Sequence, residues 1–167
     1  QSLRQAVSFV PQDSFLFEGT LFDNIRYARP EASRREVLAL LIKLGISDLL
    51  VGLPEGLETP VLEGGANLSK GMRQLVAISR SALANSPILV LDEATSNIDT
   101  KTEAIIQKAL DAISKGRTSL IIAHRLATIR EADHILVLDN GRLLEEGNHQ
   151  ELMAKNGHYA QMVHALS

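Results

Sequence analysis

Apolar positions along the chain follow two rhythms. Short unbroken runs end abruptly in polar residues, and longer stretches repeat at helical spacing. Residues 6–10 (Ala-Val-Ser-Phe-Val) run into Pro11-Gln12-Asp13, and proline cannot continue a central ladder. Residues 88–91 (Ile-Leu-Val-Leu), bounded before by Asn85-Ser86-Pro87, run into Asp92-Glu93. A run of this kind between turn signals predicts a buried parallel strand. Residues 118–123 predict a second buried strand, ending at His124, and residues 135–138 a third. Asp139-Asn140-Gly141-Arg142 then reads as a hairpin turn into Leu143-Leu144.

Helical spacing fills the intervals. Ser33 with Glu36 forms a capping box opening a helix with Val37, Leu40, Leu41 and Leu44 on one face, which ends before Gly45. A short helix is expected over 47–51, a turn over 53–57 and a loop over 59–66. Ser69 caps a long helix carrying Leu75, Val76, Ile78, Ser79, Ala82 and Leu83. Thr100 with Glu103 reads as a second capping box, opening a helix with the stripe Ile105, Ile106, Ala109, Leu110 and Ile113 and a stop at Gly116. Two short helices, around 151–153 and 159–166, close the chain. Phe15, Phe17 and Phe22 are expected to bury in a local core, although an aromatic-rich turn is also suited to docking a partner.

With 167 residues, 45% hydrophobic and 22% charged, the chain has ordinary globular usage and enough length for a real core. Its net charge of -3 gives no electrostatic footprint for nucleic acid. The absence of cysteine excludes a disulfide scaffold and thiolate metal sites. The longest apolar run, residues 37–42, is far too short to cross a bilayer. Residue 1 is Gln and a strand-like run follows almost at once, as expected of a segment cut from something larger.

The candidate chemistry sits where strands end. In open α/β sheets, ligands bind outside the carboxyl ends of the strands. Two adjacent carboxylates there are costly unless a cation or hydrogen bonds compensate them. Asp92 followed by Glu93 therefore reads as a magnesium-organising carboxylate and a water-activating one; the alternative is an acidic helix start. Gln12 has an amide that suits a hard cation or a water, or is a solvated turn residue. His124 is placed to donate to a phosphate, or is structural. Ser69, Lys70 and Gly71 open a helix whose N–H groups, hydroxyl and dipole suit an anion, or simply form a capped helix. Glu63 and the remaining histidines, His134, His149, His158 and His164, read as surface residues.

Taken in order, these motifs resemble the nucleotide-binding domain of ABC transporters of the exporter type, over essentially the whole chain. Val10-Pro11-Gln12-Asp13 resembles the Q-loop, and Leu16-Phe17-Glu18-Gly19-Thr20-Leu21-Phe22-Asp23-Asn24-Ile25 the exporter segment that follows it. Thr59-Pro60-Val61-Leu62-Glu63-Gly64-Gly65 resembles the X-loop, residues 68–72 the signature motif, and residues 88–93 Walker B. Residues 96–99 resemble the D-loop, and His124 the switch histidine.

The resemblance implies an α/β fold: a P-loop NTPase-like core with a mainly parallel sheet, incomplete at the N-terminus, plus an inserted α-helical subdomain. Residues 1–13 would supply a core strand and the Q-loop, 14–85 the helical subdomain with the signature helix, and 86–167 the core with Walker B, D-loop, H-loop and C-terminal helices. It implies ATP and Mg²⁺ as cofactors. Asp92 would hold magnesium through its water shell, Glu93 would act as general base, His124 would contact the γ-phosphate, and Gln12 would sense magnesium and water. Ser69 and Gly71 would bind the γ-phosphate of ATP held by a second such domain in a head-to-tail dimer, with Lys70 beside them and Asp99 linking the two sites. A transmembrane domain upstream would place the chain at the cytoplasmic face of the plasma membrane, with residues 15–24 where the family couples to membrane helices.

Two departures stand out. The signature reads Leu-Ser-Lys-Gly-Met where the family pattern is Leu-Ser-Gly-Gly-Gln, so Met72 removes an amide. No G-x-x-x-x-G-K-[ST] occurs, so the main phosphate cradle would lie upstream of Gln1. The chain alone is therefore expected to bind ATP weakly, to lack activity, and to expose apolar sheet surface and an edge. Two alternatives stay open: a truncated domain that serves only for interaction, and a soluble ABC-type ATPase outside transport.

Overall fold

The computed structural model describes residues 3–51, 53–92, 98–123 and 126–165. It divides into two compact units, Gln1–Ile122 and Ala123–Ser167. In chain order the first unit contains α1 (Leu3–Ala6), β1 (Val7–Val10), β2 (Gly19–Thr20), α2 (Leu21–Arg26), α3 (Arg34–Lys43) and α4 (Ser47–Val51). It continues with β3 (Pro60–Val61), α5 (Lys70–Ala84), β4 (Ile88–Asp92), α6 (Thr100–Ser114) and β5 (Thr118–Ile122), with single 3₁₀ turns at Gly56–Glu58 and Glu63–Gly65.

The three apolar runs that open this unit's strands form one parallel sheet, ordered β1-β4-β5. Val10 stands opposite Leu91, and Asp92 opposite Ile122, so all three strands deliver their carboxyl ends to one edge. Helix α5 packs along β1 and against α6. One face of α5 (Leu75, Val76, Ile78, Ala82, Leu83), one face of α6 (Ile106, Ala109, Leu110, Ile113) and Leu89 and Leu91 of β4 share a single apolar cluster. That cluster extends through Leu21 and Ile25 of α2 to Val37 and Leu41 of α3. Among the residues that no solvent reaches are Leu16, Leu21, Val37, Ile78, Leu89 and Ile106. The capping box at Ser33 and the N-cap at Ser69 are formed as the sequence predicts.

Several expectations are corrected. Ala6 ends a short helix and does not begin the strand. The cap of α6 is Asp99, whose side chain accepts from the Thr102 N–H, and not Thr100. A carboxylate at the positive end of a helix is a stronger acceptor than a hydroxyl, which favours starting the helix one residue earlier. Residues 59–66 are not only a loop, because β3 pairs antiparallel with β2, Gly19 opposite Val61. The run 118–122 is a strand but is not buried. Leu120, Ile121 and Ile122 are 56%, 37% and 51% exposed on this edge strand of the sheet. Phe9 is exposed as well, which matches the expected open apolar sheet surface.

The aromatic residues also depart from expectation. Residues 15–17 lie outside helix and strand, and burial alternates along them: Leu16 takes the buried position. Phe15 and Phe17 stay exposed, at 58% and 42%; they meet edge to face, and Phe17 lies against the Tyr27 ring. Only Phe22 packs against the main cluster.

The second unit contains α7 (Leu126–Arg130), β6 (Ile135–Asp139), β7 (Arg142–Gly147), α8 (His149–Lys155) and α9 (His158–Ala165). The hairpin forms as expected, with Asn140 and Gly141 both at positive φ, as a two-residue turn that matches strand twist requires. Ile135 and Val137 face Leu152, Tyr159 and Val163 in a core of their own. His149 is half-buried, against the expectation of a surface residue, because its Nδ1 lies 2.7 Å from the Tyr159 hydroxyl.

Candidate functional site

The parallel sheet fixes the first part of the site. Because Val10 is opposite Leu91, Asp92 at the end of β4 and Gln12 just past β1 leave the same sheet edge on neighbouring strands. Adjacent strands lie about 4.8 Å apart, so the backbone carries Asp92 and Gln12 out of the sheet on neighbouring strands. Asp92 is half-buried and Gln12 is exposed. Glu93 and His124, predicted as base and phosphate contact, lie outside the described residues. Among the described residues no cluster of three or more His, Cys, Asp or Glu is poised for a metal ion.

Gln12 also lines a cleft of about 400 Å³ with Asp13, Ser14, Phe15, Gly64, Lys70, Arg73 and Gln74. The structure therefore joins two predicted residues, Gln12 and Lys70, across one cavity between the loop after β1 and the first turn of α5. Gly65 packs so closely here that a Cβ would stand 2.9 Å from Arg73 Cδ and 3.0 Å from Leu16 Cδ1. Its φ of +70° also favours glycine. Arg73 in turn donates to the carbonyls of Leu68 (2.7 Å) and Gly65 (3.4 Å), which holds the approach to α5 in place.

The second part of the site is the leading turn of α5. The Ser69 hydroxyl oxygen accepts from the Met72 N–H at 3.2 Å, which leaves its own proton to donate. Met72, the departure from the signature pattern, packs its thioether against the main apolar cluster. Gly71 is buried, and a Cβ there would run into the Thr102 methyl and reach Ile98 Cγ2 at 3.4 Å. The leading turns of α5 and α6 thus meet at this glycine. Asp99, beside them, accepts from the Thr102 N–H at 3.0 Å. That bond, ahead of all other influences, holds its carboxyl below the ordinary carboxylate value. Of the predicted set, then, Gln12 meets Lys70 at the cleft, and Gly71 meets the turn that Asp99 caps.

Sequence reasoning missed three participants. Gln74 is buried, at 4% exposure, yet lines the cleft. Arg80 reaches across from α5 to residues 15 and 24, and Asn24, 2% exposed, receives it. The signal was available. Arg73 and Arg80 lie two helical turns apart on one face, and Arg80 interrupts an otherwise small and apolar stretch.

The comparisons with known proteins agree with this geometry. The ABC transporter family profile matches residues 1–96. The chain is 52% identical over 164 residues to an uncharacterized ABC transporter ATP-binding protein, YknV, of Bacillus subtilis, covering 98% of this chain and 27% of that protein. It is 47% identical over 160 residues to an ATP-dependent lipid A-core flippase of Neisseria meningitidis, covering 96% of this chain and 26% of the flippase. The structure of a bacterial Atm1-family ABC exporter with ATP bound superimposes with a TM-score of 0.86 at 49% identity, over 96% of this chain and 28% of that one. The chain thus spans about a quarter of the length of the curated relatives it matches. Its fold is the P-loop NTPase-like α/β fold of that structure, as the sequence predicts. The chain belongs to the ABC transporter family.

Proposed function

We propose that the chain is part of the ATP-binding and ATP-hydrolysing motor of an exporter-type ABC transporter. The observation that carries the reading is the pairing of β1 with β4, which puts Gln12 and Asp92 on one sheet edge in a chain of this family. Two neutral or anionic oxygen donors, one of them half-buried, suit a hard divalent cation such as Mg²⁺. Asp92 would hold the ion through its water shell, with Gln12 next to it. When bound, Mg²⁺ would neutralise charge on the phosphates and keep them in line.

The protein's own groups do the rest. Glu93 takes the proton of the attacking water, and His124 donates to the γ-phosphate. Ser69 donates its hydroxyl proton, and the Gly71 backbone approaches the phosphate held by a second such domain, with the Lys70 charge beside them. Asp99, kept ionised by the Thr102 N–H, links the paired sites of a head-to-tail dimer. In this reading residues 14–85 are the helical subdomain. The exposed Phe15, Phe17 and Tyr27 rings present a surface for a transmembrane domain, at the cytoplasmic face of the membrane.

The complete protein, purified in lipid, tests this. Mg²⁺-dependent, vanadate-sensitive ATP hydrolysis is the expected result. ATP binding with no hydrolysis would point to an interaction module, and failure to bind ATP would overturn the reading.

A further inference from the structure

Arg80 is half-buried within α5, and its guanidinium donates to one remote segment. Nε donates to the Asn24 carbonyl at 2.6 Å, Nη1 to the Phe15 carbonyl at 2.8 Å, and Nη2 to Asn24 Oδ1 at 2.5 Å. Asn24 ties that segment to itself. Its Nδ2 donates to the carbonyls of Phe17 (2.8 Å) and Thr20 (3.0 Å), and its Oδ1 accepts from the Phe17 N–H at 2.9 Å. The Phe17 and Tyr27 rings flank the guanidinium at 5.6 and 5.8 Å. The acceptors are neutral, and burial lowers the pKa of Arg80. A half-buried cation without a carboxylate partner is a costly way to fasten a segment.

What the guanidinium adds is direction. The apolar packing between α2 and α5, whose Leu21, Ile25, Leu75 and Ile78 belong to one cluster, is non-directional and allows sliding. A rigid fork of donors on two carbonyls and a carboxamide fixes register. Lys70 and Arg80 are ten residues apart, roughly 15 Å along a stiff helix. We propose that Arg80 is a positioning residue: it locks residues 15–24 to α5, so that a displacement of that segment is delivered to Ser69, Lys70 and Gly71 at the helix's leading turn. The proposal deepens the motor reading and rests on it for its consequence, though not for its geometry.

The test uses the complete protein in lipid nanodiscs, with amide hydrogen exchange read by mass spectrometry. Arg80→Lys keeps the charge and the aliphatic stem but loses the fork. Trapping with Mg²⁺, ATP and vanadate is expected to change protection in residues 15–24 and 69–76 together in the wild type. In Arg80→Lys, at an unchanged melting temperature, the change in 69–76 remains and that in 15–24 is lost. Matching changes in both segments of the variant would overturn the proposal, and so would loss of both. A wild type unresponsive to trapping would speak against the motor reading instead. In that case, or if the variant does not fold, the nucleotide-free wild type decides: residues 15–24 and 76–84 opening with one common urea dependence support the lock, and separate opening overturns it.

Discussion

Gly71 has two possible reasons to be glycine, and one substitution series separates them. Its backbone is where the family brings a phosphate close, but its missing side chain is also where α5 and α6 meet. A Cβ would overlap the Thr102 methyl, and Thr102, being β-branched, has few rotamers to escape into. Overpacking of this kind costs about 1–3 kcal/mol. Alanine returns up to about 1 kcal/mol of helix propensity, so Gly71→Ala should lose about 1–2 kcal/mol in all. Thr102→Ala alone should be mild, because the bond to Asp99 uses the backbone N–H. The double variant should recover most of the loss, giving a coupling of about 1–2 kcal/mol between the two positions. Urea unfolding of the complete protein measures all four corners of the cycle. Gly71→Ala as stable as the wild type, or no recovery in the double variant, would refute the packing argument. ATPase activity on the same samples then sorts the roles: activity restored together with stability makes Gly71 a packing residue, and activity lost in a restored fold makes it phosphate-facing.

Other consequences are simpler. Asp99 has a folded pKa below its unfolded value, so its stabilising effect is present above the ordinary carboxylate range and is lost as pH falls through the folded value. Asp99→Asn keeps a capping oxygen but loses the charge, so it should lower neutral-pH stability slightly and flatten the acid limb of an unfolding-versus-pH curve; an unaltered acid limb would contradict this role for Asp99. Tyr159 is buried, which raises its phenol pKa, and its hydroxyl meets His149. Tyr159→Phe should cost about 1 kcal/mol of stability, read by chemical denaturation, and a neutral result would mean that water replaces the phenol at no cost. Asn24→Ala removes a nearly inaccessible carboxamide with four hydrogen bonds and should cost about 3–5 kcal/mol; a melting temperature equal to that of the wild type would contradict it.

What could be read from sequence was local. The capping box at Ser33, the Ser69 cap, the stripes of α5 and α6 and the Asn140-Gly141 turn each depend on residues within a few positions of one another, and each formed. Strand ends were legible for the same reason, which placed Asp92 and Gln12 correctly at the edge of the sheet. Tertiary covering was not legible. An unbroken apolar run says that β5 is fit to be covered on both faces, but it cannot say that a layer lies there, and Leu120 and Ile122 are exposed. Nor does aromatic content decide burial: at Phe15, Leu16 and Phe17 the aliphatic residue is the buried one. The Arg80–Asn24 connection spans 56 residues, beyond any local pattern. The cap read at Thr100 with Glu103 lay one residue late, and the helix itself shows Asp99 in that place.

In the proposed motor, hydrolysis takes place at the carboxyl edge of the sheet, with Glu93 as the base beside Asp92. The most direct measurement is ATP binding and turnover by the complete protein carrying Glu93→Gln, which keeps size and polarity but cannot take a proton. ATP affinity equal to that of the wild type and turnover reduced to background are the expected results. Undiminished turnover would contradict this role for Glu93.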